Sequence, residues 1–265
     1  MLGYNPSPAL ATLNVSVHEA LFQPLLDEGS VDLALFSPPY FLVDGWSPQL
    51  MRDVGTVLGK VLKPGGRAFM VFGPTREGLL RPFESAKLVL DTSGCREGQT
   101  IIWVKSIAVD GKTSGHYQPS QSNQLLHNGF EYIFQFVKHP NHARNIDPIA
   151  VGVPFSDLGN LKRGNRGRNG NLHSPGDVWF CRAKTTGKKA KKWHKHEFPL
   201  ELATKILKLS NLTPKSTVVD FFSGGGTTAV AAGLLGHNAV VVDISPEAIE
   251  TTKRRWSEEV VSVGI

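Results

Sequence analysis

The chain has 265 residues, of which 40% are hydrophobic and 20% charged, and its 29 Lys and Arg against 23 Asp and Glu leave a net charge of +6. That length suits one large α/β domain, or one domain with a modest insertion, and no apolar run reaches the roughly 18 residues that a membrane helix needs. Its two cysteines, Cys95 and Cys181, stand far apart without CxxC spacing, which argues against a disulfide framework or a cysteine zinc site, and MLGYNPSPAL at the start lacks the pattern of a secretory signal. A reducing, cytoplasmic setting in a prokaryote or under viral coding is expected.

In chain order, Val31–Phe36 (VDLALF) reads as a buried strand that ends at Ser37-Pro38-Pro39-Tyr40. Apolar spacing at Leu50, Val54, Val57, Leu58 and Val61 predicts a helix over Gln49–Val61, closed by a turn at Lys63-Pro64-Gly65-Gly66. Arg67–Phe72 is the next strand, Gly78–Thr92 a helix, and Thr100–Lys105 and Tyr132–Val137 are strands rich in aromatic and β-branched residues. From Lys138 to Lys195 regularity fades, apart from a short strand over Asp177–Cys181. Then follow a helix over Pro199–Ser210, a strand over Thr217–Phe221, a helix over Thr228–Leu235, a strand over Ala239–Val242 and a last helix over Pro246–Trp256. Alternation of strand and helix in both halves predicts one doubly wound, mostly parallel sheet with an irregular basic insertion. The whole of 1–265 is expected to form a single domain, with 106–195 as an embedded recognition region.

Charge concentrates in that insertion. Between Asn160 and His196 stand Lys162, Arg163, Arg166, Arg168, Arg182, Lys184, Lys188, Lys189, Lys191, Lys192 and Lys195, with Asp177 the one acid. The segment carries more excess positive charge than the whole chain. A solvated Lys-rich loop is the plain reading; a surface for a polyanion is the functional one. In LKRGNRGRNGN, Gly, Asn and Arg interleave as suits a loop that follows a nucleic-acid backbone.

The segment VVDFFSGGGTTAVAAGLLGHNAVVVDIS carries the first chemical signal. A strand ends at Asp220, a glycine-rich turn follows, and a helix opens at Thr227 or Thr228. Glycines permit a tight turn and close approach of a ligand, and the helix N-terminus favours an anionic group. Asp243 ends the next strand, about 20 residues on, where an acid accepts hydrogen bonds from ribose hydroxyls. The spacing is not G-x-G-x-x-G, and two threonines at the helix start favour a small carboxylate over a pyrophosphate.

Ser37-Pro38-Pro39-Tyr40 is by itself most simply a proline turn between strand and loop, but it also has the parts for a second. Its prolines fix the backbone and donate no N–H, so carbonyls of the turn are free to accept from a ligand. The amino group of a nucleobase is a poor nucleophile because its lone pair is delocalised into the ring. Accepting its hydrogens at Ser37 and at the Pro38 carbonyl pulls the nitrogen towards tetrahedral geometry and frees that pair. Tyr40 offers a face for a base extruded from its duplex.

Together the two turns resemble the β-type amino-methyltransferases of DNA, whose signature is an early [D/N/S]-P-P-[Y/F/W] turn and a late D-P-F-x-G-S-G-T-T turn. The resemblance spans most of the chain and includes, in family order, VLKPGG at Val61–Gly66, IIWVK at Ile101–Lys105, Glu131-Tyr132-Ile133, GDVW at Gly176–Trp179 and HKHEFP at His194–Pro199. It implies a Rossmann-like methyltransferase fold with a circularly permuted motif order and S-adenosylmethionine as cofactor. It implies that Ser37, Pro38, Pro39 and Tyr40 hold the target base. Asp220, Phe222, Gly224, Gly226, Thr227 and Thr228 would surround the methionine part of the cofactor, Asp243 its ribose, and His194, Phe198 and Pro199 would close over the methionine end. Lys162, Arg163, Arg166, Arg168, Lys188, Lys189, Lys191 and Lys192 would contact double-stranded DNA. No metal is expected: His194-x-His196 and His139-x-x-His142 have no cysteine and few carboxylates nearby.

The chain departs from the pattern at Phe221 (usually Pro), at Gly225 (usually Ser), and at Val15-Ser16, where the family often has Gly-Asp. Within the family a serine at the first catalytic position goes mostly with cytosine N4, and Asp or Asn with adenine N6. Cytosine N4 is therefore the expected target. The alternatives are an adenine-N6 enzyme and a methyltransferase-like DNA-binding protein without catalysis. A restriction endonuclease, if one accompanies it, is a separate protein.

Overall fold

The computed structural model describes residues 7–20, 23–115, 126–139, 141, 146–156, 171–182, 193 and 197–263. Its centre is a sheet built from β1 (Leu10–Leu13), β2 (Val31–Phe36), β3 (Leu62–Phe72), β4 (Arg96–Glu97), β5 (Ile101–Val104), β8 (Phe130–Val137), β11 (Val178–Phe180), β12 (Thr217–Asp220) and β13 (Asn238–Val242). The strand order is β1-β13-β12-β2-β3-β8-β5-β11, with β4 pairing β8. All pairings are parallel except those of β8, which runs against β3, β4 and β5. The doubly wound, mostly parallel sheet read from the sequence is what the chain forms.

β2 shows why a continuous apolar run becomes a central strand. Every residue of VDLALF is buried, and alternate side chains serve opposite layers. Leu33 and Leu35 join the core under α4 (Leu200–Leu209), α5 (Thr227–Leu234) and α6 (Pro246–Glu259). Ala34 and Phe36 join the core under α1 (Val17–Ala20), α2 (Pro48–Val61) and α3 (Arg81–Ser93). α2 starts where Ser47 caps it, its side chain accepting from Leu50 N at 3.0 Å, with Pro48 in the first turn.

Some elements differ from the sequence reading. The expected turn at Lys63–Gly66 is instead an irregularity inside β3, where the register with β2 shifts between Val31 and Leu33 and Gly65 has φ 79°. β1 and α1 are additions to that reading, because four residues give no readable period; β1 finds its place only by pairing with β13. The hairpin of β6 (Ser106–Val109) and β7 (Lys112–Gly115) is another addition. Its signal is present in the sequence: Asp110 (φ 50°) and Gly111 (φ 72°) are the Asp-Gly pair that a two-residue turn with positive φ at both positions demands. Within the basic insertion, β9 (Val153–Pro154) pairs β10 (Leu172–His173), and β11 adds to the main sheet through β5. Among the described residues no helix is long and apolar enough to cross a membrane.

β2 and β12 lie side by side in parallel, Leu33 opposite Val218 and Ala34 opposite Val219. From β12 the chain continues through α5 to β13 on one side; from β2 it continues through α2 to β3 on the other. The strand order reverses here, and in open parallel sheets the crevice beyond the strand ends at such a point is where ligands bind.

Candidate active site

Both motif turns open at this reversal, and one cavity of about 850 Å³ joins them. Its walls include Ser37, Pro38, Pro39 and Tyr40 from the first turn. Asp220, Phe222, Ser223, Gly224, Gly225 and Thr227 come from the second, with Asp243 beyond β13. Phe198 is buried at its edge and lines it, followed by Pro199 as the N-cap of α4. A direct bond couples the two turns: the Thr228 hydroxyl donates to the Leu35 carbonyl at 3.1 Å, two residues before Ser37. His194 lies outside the described residues, as do Lys162, Arg163, Arg166, Arg168, Lys188, Lys189, Lys191 and Lys192.

Backbone bonds shape the glycine turn. Gly226 N donates to Ser223 O at 2.7 Å, and Ser223 N to Val242 O at 3.1 Å. Gly224 (φ 47°) and Gly226 (φ 73°) sit in the left-handed region. A Cβ on Gly226 would also stand 2.9 Å from Thr252 Cγ2, so α6 packs flush against the turn. Asp243 braces the turn: Oδ2 accepts from Gly224 N and Oδ1 from Ser245 N, both at 2.9 Å. Each oxygen keeps acceptor capacity for a ligand. Asp220 accepts from Phe222 N at 2.9 Å. Burial is the main cause that lifts its carboxyl to about 7, opposed by the Phe222 amide and the Thr228 hydroxyl and aided by the nearby Asp243 charge.

Sequence reasoning does not single out the residue that clamps this turn. Arg255 of α6 is 1% exposed and donates to Gly225 O at 2.9 Å and to Thr227 Oγ1 at 3.0 Å. It also pairs with buried Glu197 at 3.2 Å and with Glu259 at 3.1 Å. Glu197 lies in HKHEFP and lines the cavity, so Arg255 ties that segment to the glycine turn. Trp193 adds to the tie: its Nε1 donates to Glu259 at 2.9 Å, and Arg254 lies over its ring at 5.0 Å. In sequence Arg255 is one basic residue in a polar helix, with nothing to mark it.

The first turn is held by side chains from distant elements. Arg81 Nη1 donates to the Tyr40 carbonyl at 2.8 Å and its guanidinium lies 4.5 Å from the Trp46 ring centre. The Tyr40 ring stacks on Phe72 with centroids 4.6 Å apart, which occupies one of its faces. Its hydroxyl lies 2.9 Å from Ser37 Oγ and donates to Glu131 Oε2 at 2.9 Å. Burial and the Glu131 charge push the Tyr40 phenol well above its usual range, so it keeps its proton.

The departures also find their places. Phe221 is buried and meets Phe36 edge-on at 5.6 Å, filling core space that a proline would leave. Gly225 supplies the carbonyl that Arg255 grips. Val15, Ser16 and Val17 line the cavity, with Ser16 N and Oγ both bonded to Glu19 Oε2 in a capping arrangement.

The cavity fits S-adenosylmethionine. Asp44, Glu197, Asp220, Asp243 and Glu247 make its wall acidic, which suits a ligand with sulfonium and ammonium charges. The N-terminus of α5 offers the opposite polarity for a carboxylate. The volume lies within the usual range of ligand sites, about 300–1,000 Å³. Among the described residues no group of three or more His, Cys, Asp or Glu is arranged to hold a metal ion.

Comparison with known proteins bears on this geometry. The family described as DNA methylase matches residues 31–254. The type II methyltransferase M1.MboII of Moraxella bovis is 29% identical over 86% of this chain and 90% of its own length. M.BglII of Bacillus subtilis is 26% identical over 89% of this chain and 66% of its own. Among solved structures, the cytosine-N4-specific PvuII DNA methyltransferase superposes with a TM-score of 0.68 at 16% identity, covering 98% of this chain and 95% of that one. A Thermus thermophilus protein solved in complex with S-adenosyl-L-methionine gives 0.63 at 22% identity over 95% and 96%.

Proposed function

The chain belongs to the DNA methylase family, and from that premise we propose that it methylates the exocyclic N4 amino group of cytosine at a specific site in duplex DNA. As a member of that family it is an S-adenosylmethionine-dependent DNA methyltransferase; the cofactor supplies an activated methyl group. The observation that supports methyl transfer to an amino group is the serine turn opening into the same cavity as the glycine turn, with Thr228 bonded across to Leu35; the choice of cytosine rests on the serine itself.

In this reading Ser37 Oγ and the Pro38 carbonyl accept the two amino hydrogens of the extruded base, and the free face of Tyr40 stacks on it. Asp220, in its ionised form, and the glycine turn hold the methionine end of the cofactor, Phe198 closes over it, and Asp243 takes the ribose. Ser37 favours cytosine over adenine because, in the β-type family, serine at this position goes mostly with N4 chemistry. The basic stretch within 106–195 of the single domain supplies DNA contacts. The type II names of the relatives support a separate restriction endonuclease as companion, and a cytoplasmic setting with access to cellular DNA.

The test is incubation of the purified protein with unmodified DNA and methyl-labelled S-adenosylmethionine, followed by nucleoside digestion and mass spectrometry. Labelled N4-methylcytosine is expected. Labelled N6-methyladenine would keep the enzyme and overturn the reading of Ser37. No label, with no cofactor binding, would favour a DNA-binding protein without catalysis.

A further inference from the structure

From Ser37 and Tyr40 at the cavity wall, a chain of polar side chains runs on to Glu131 and Lys105, which do not line the cavity, and links three strands. Lys105 follows β5, Glu131 lies on β8, and Tyr40 follows β2. Lys105 Nζ lies 2.8 Å from Glu131 Oε1; the Tyr40 hydroxyl donates to Glu131 Oε2 at 2.9 Å and stands 2.9 Å from Ser37 Oγ. Lys105 and Glu131 are 24% and 12% exposed, so the pair is mostly withdrawn from water.

The direction of these bonds follows from counting protons. A carboxylate paired with an ammonium accepts and does not donate. It therefore draws the single Tyr40 hydroxyl proton, in preference to the neutral Val71 carbonyl at 3.2 Å. The Tyr40 oxygen then has only lone pairs for Ser37, and Ser37 must donate to it. Ser37 Oγ is left with its own lone pairs for a ligand.

We propose that Glu131, held by Lys105, is a positioning residue that fixes the Tyr40–Ser37 hydrogen bond in one direction, so that Ser37 presents an acceptor and not a donor to the amino group of the target base. The inference rests on the reading of Ser37 above. Without the carboxylate the Tyr40 proton turns to Ser37 or to Val71. Ser37 is then free to point its own proton at the substrate amino hydrogens, donor against donor. Phe or Trp at the Tyr40 position satisfies the family signature but cannot relay this order, so the device belongs to this chain's combination of Tyr40 and Glu131.

The test compares Glu131→Gln, Tyr40→Phe, the double variant and Ser37→Ala in single-turnover methyl transfer, with cofactor and DNA binding and thermal melting measured alongside. Glu131→Gln is expected to lower the rate about 10-fold to 100-fold, with the KM for cofactor and for DNA within about twofold of the parent. Tyr40→Phe leaves the Lys105–Glu131 pair in place, so it reports on the chain even if Glu131→Gln melts early. It is expected to lose a similar factor, and the double variant no more than the worse single. Parental rates in Glu131→Gln and Tyr40→Phe, multiplying losses in the double variant, or a rise in KM at constant rate would overturn the proposal. Ser37→Ala separates the two levels: if it stays active the reading of Ser37 fails, whereas if it alone is inactive only the role of Glu131 fails.

Discussion

The two turns that meet in the cavity are built by opposite means. The glycine turn is held by backbone bonds, by two carboxylates that accept from its amides, and by the charge of Arg255 locked against its outer side. The serine turn has little backbone bonding of its own; Arg81, Phe72 and the Tyr40–Glu131–Lys105 chain hold it from other elements. A cofactor site needs a fixed shape, which glycine and backbone provide. If the serine turn accepts amino hydrogens as proposed, its carbonyl is an acceptor by nature, but its hydroxyl needs a fixed proton direction, which neighbouring side chains set.

This contrast predicts which perturbations damage folding and which damage chemistry. The largest expected effect is on the glycine side. Arg255→Ala removes the buried ion pair with Glu197 and the grip on the Gly225 carbonyl, and it should cost about 3–5 kcal/mol in urea unfolding, together with cofactor affinity. A loss below about 1 kcal/mol, the scale of a surface pair, would show that the clamp is not structural.

Ser37→Ala should do the reverse. It removes one acceptor at the cavity wall from a turn held elsewhere, so melting and cofactor binding should hardly move. The transfer rate should fall about 100-fold or more, the scale for losing one preorganised polar group at a reacting centre.

Asp220 gives a prediction in pH. Its folded pKa of about 7 lies above the ordinary value of 3.8. The folded chain therefore holds a proton that the unfolded chain has lost between those values, and this group's contribution to stability falls as pH rises through that window. Cofactor affinity should move the other way, because only the ionised carboxylate attracts an ammonium. Isothermal titration should show binding tightening from about pH 6 to about pH 8, with proton release below about 7. Asp220→Asn should flatten both trends, gain stability at about pH 8 relative to the parent, and bind the cofactor more weakly. Parallel pH profiles in parent and variant would assign the titration elsewhere.

The smallest effect probes the join. Thr228→Val removes the bond to Leu35 and the hydroxyl that helps hold the Asp220 carboxyl down, and should cost about 1 kcal/mol, the usual net value of one hydrogen bond. If the bond sets the spacing of the turns, the variant's transfer rate should fall more than its cofactor affinity; equal changes would make Thr228 a simple core contact.

Much of this is legible in the sequence where the signal is local. VDLALF announces a central strand, and the Ser37–Tyr40 and Asp220–Thr228 turns announce themselves by residue type and by the strands ahead of them. The Asp110-Gly111 hairpin carries an equally local signal. Glu131 and Lys105 can be seen as parts of family segments but not as neighbours of Tyr40, and Arg255 cannot be seen at all.

Sequence by itself determined the α/β class, the central strands and the two turns, because period, proline and glycine act over a few residues. Tertiary structure decided that β2 and β12 run side by side, which brings turns from opposite ends of the chain into one cavity. It also decided which charges are buried against them. A carboxylate such as Glu131 or a guanidinium such as Arg255 acquires its role from what the folded sheet places within about 3 Å of it, and no local pattern encodes that distance.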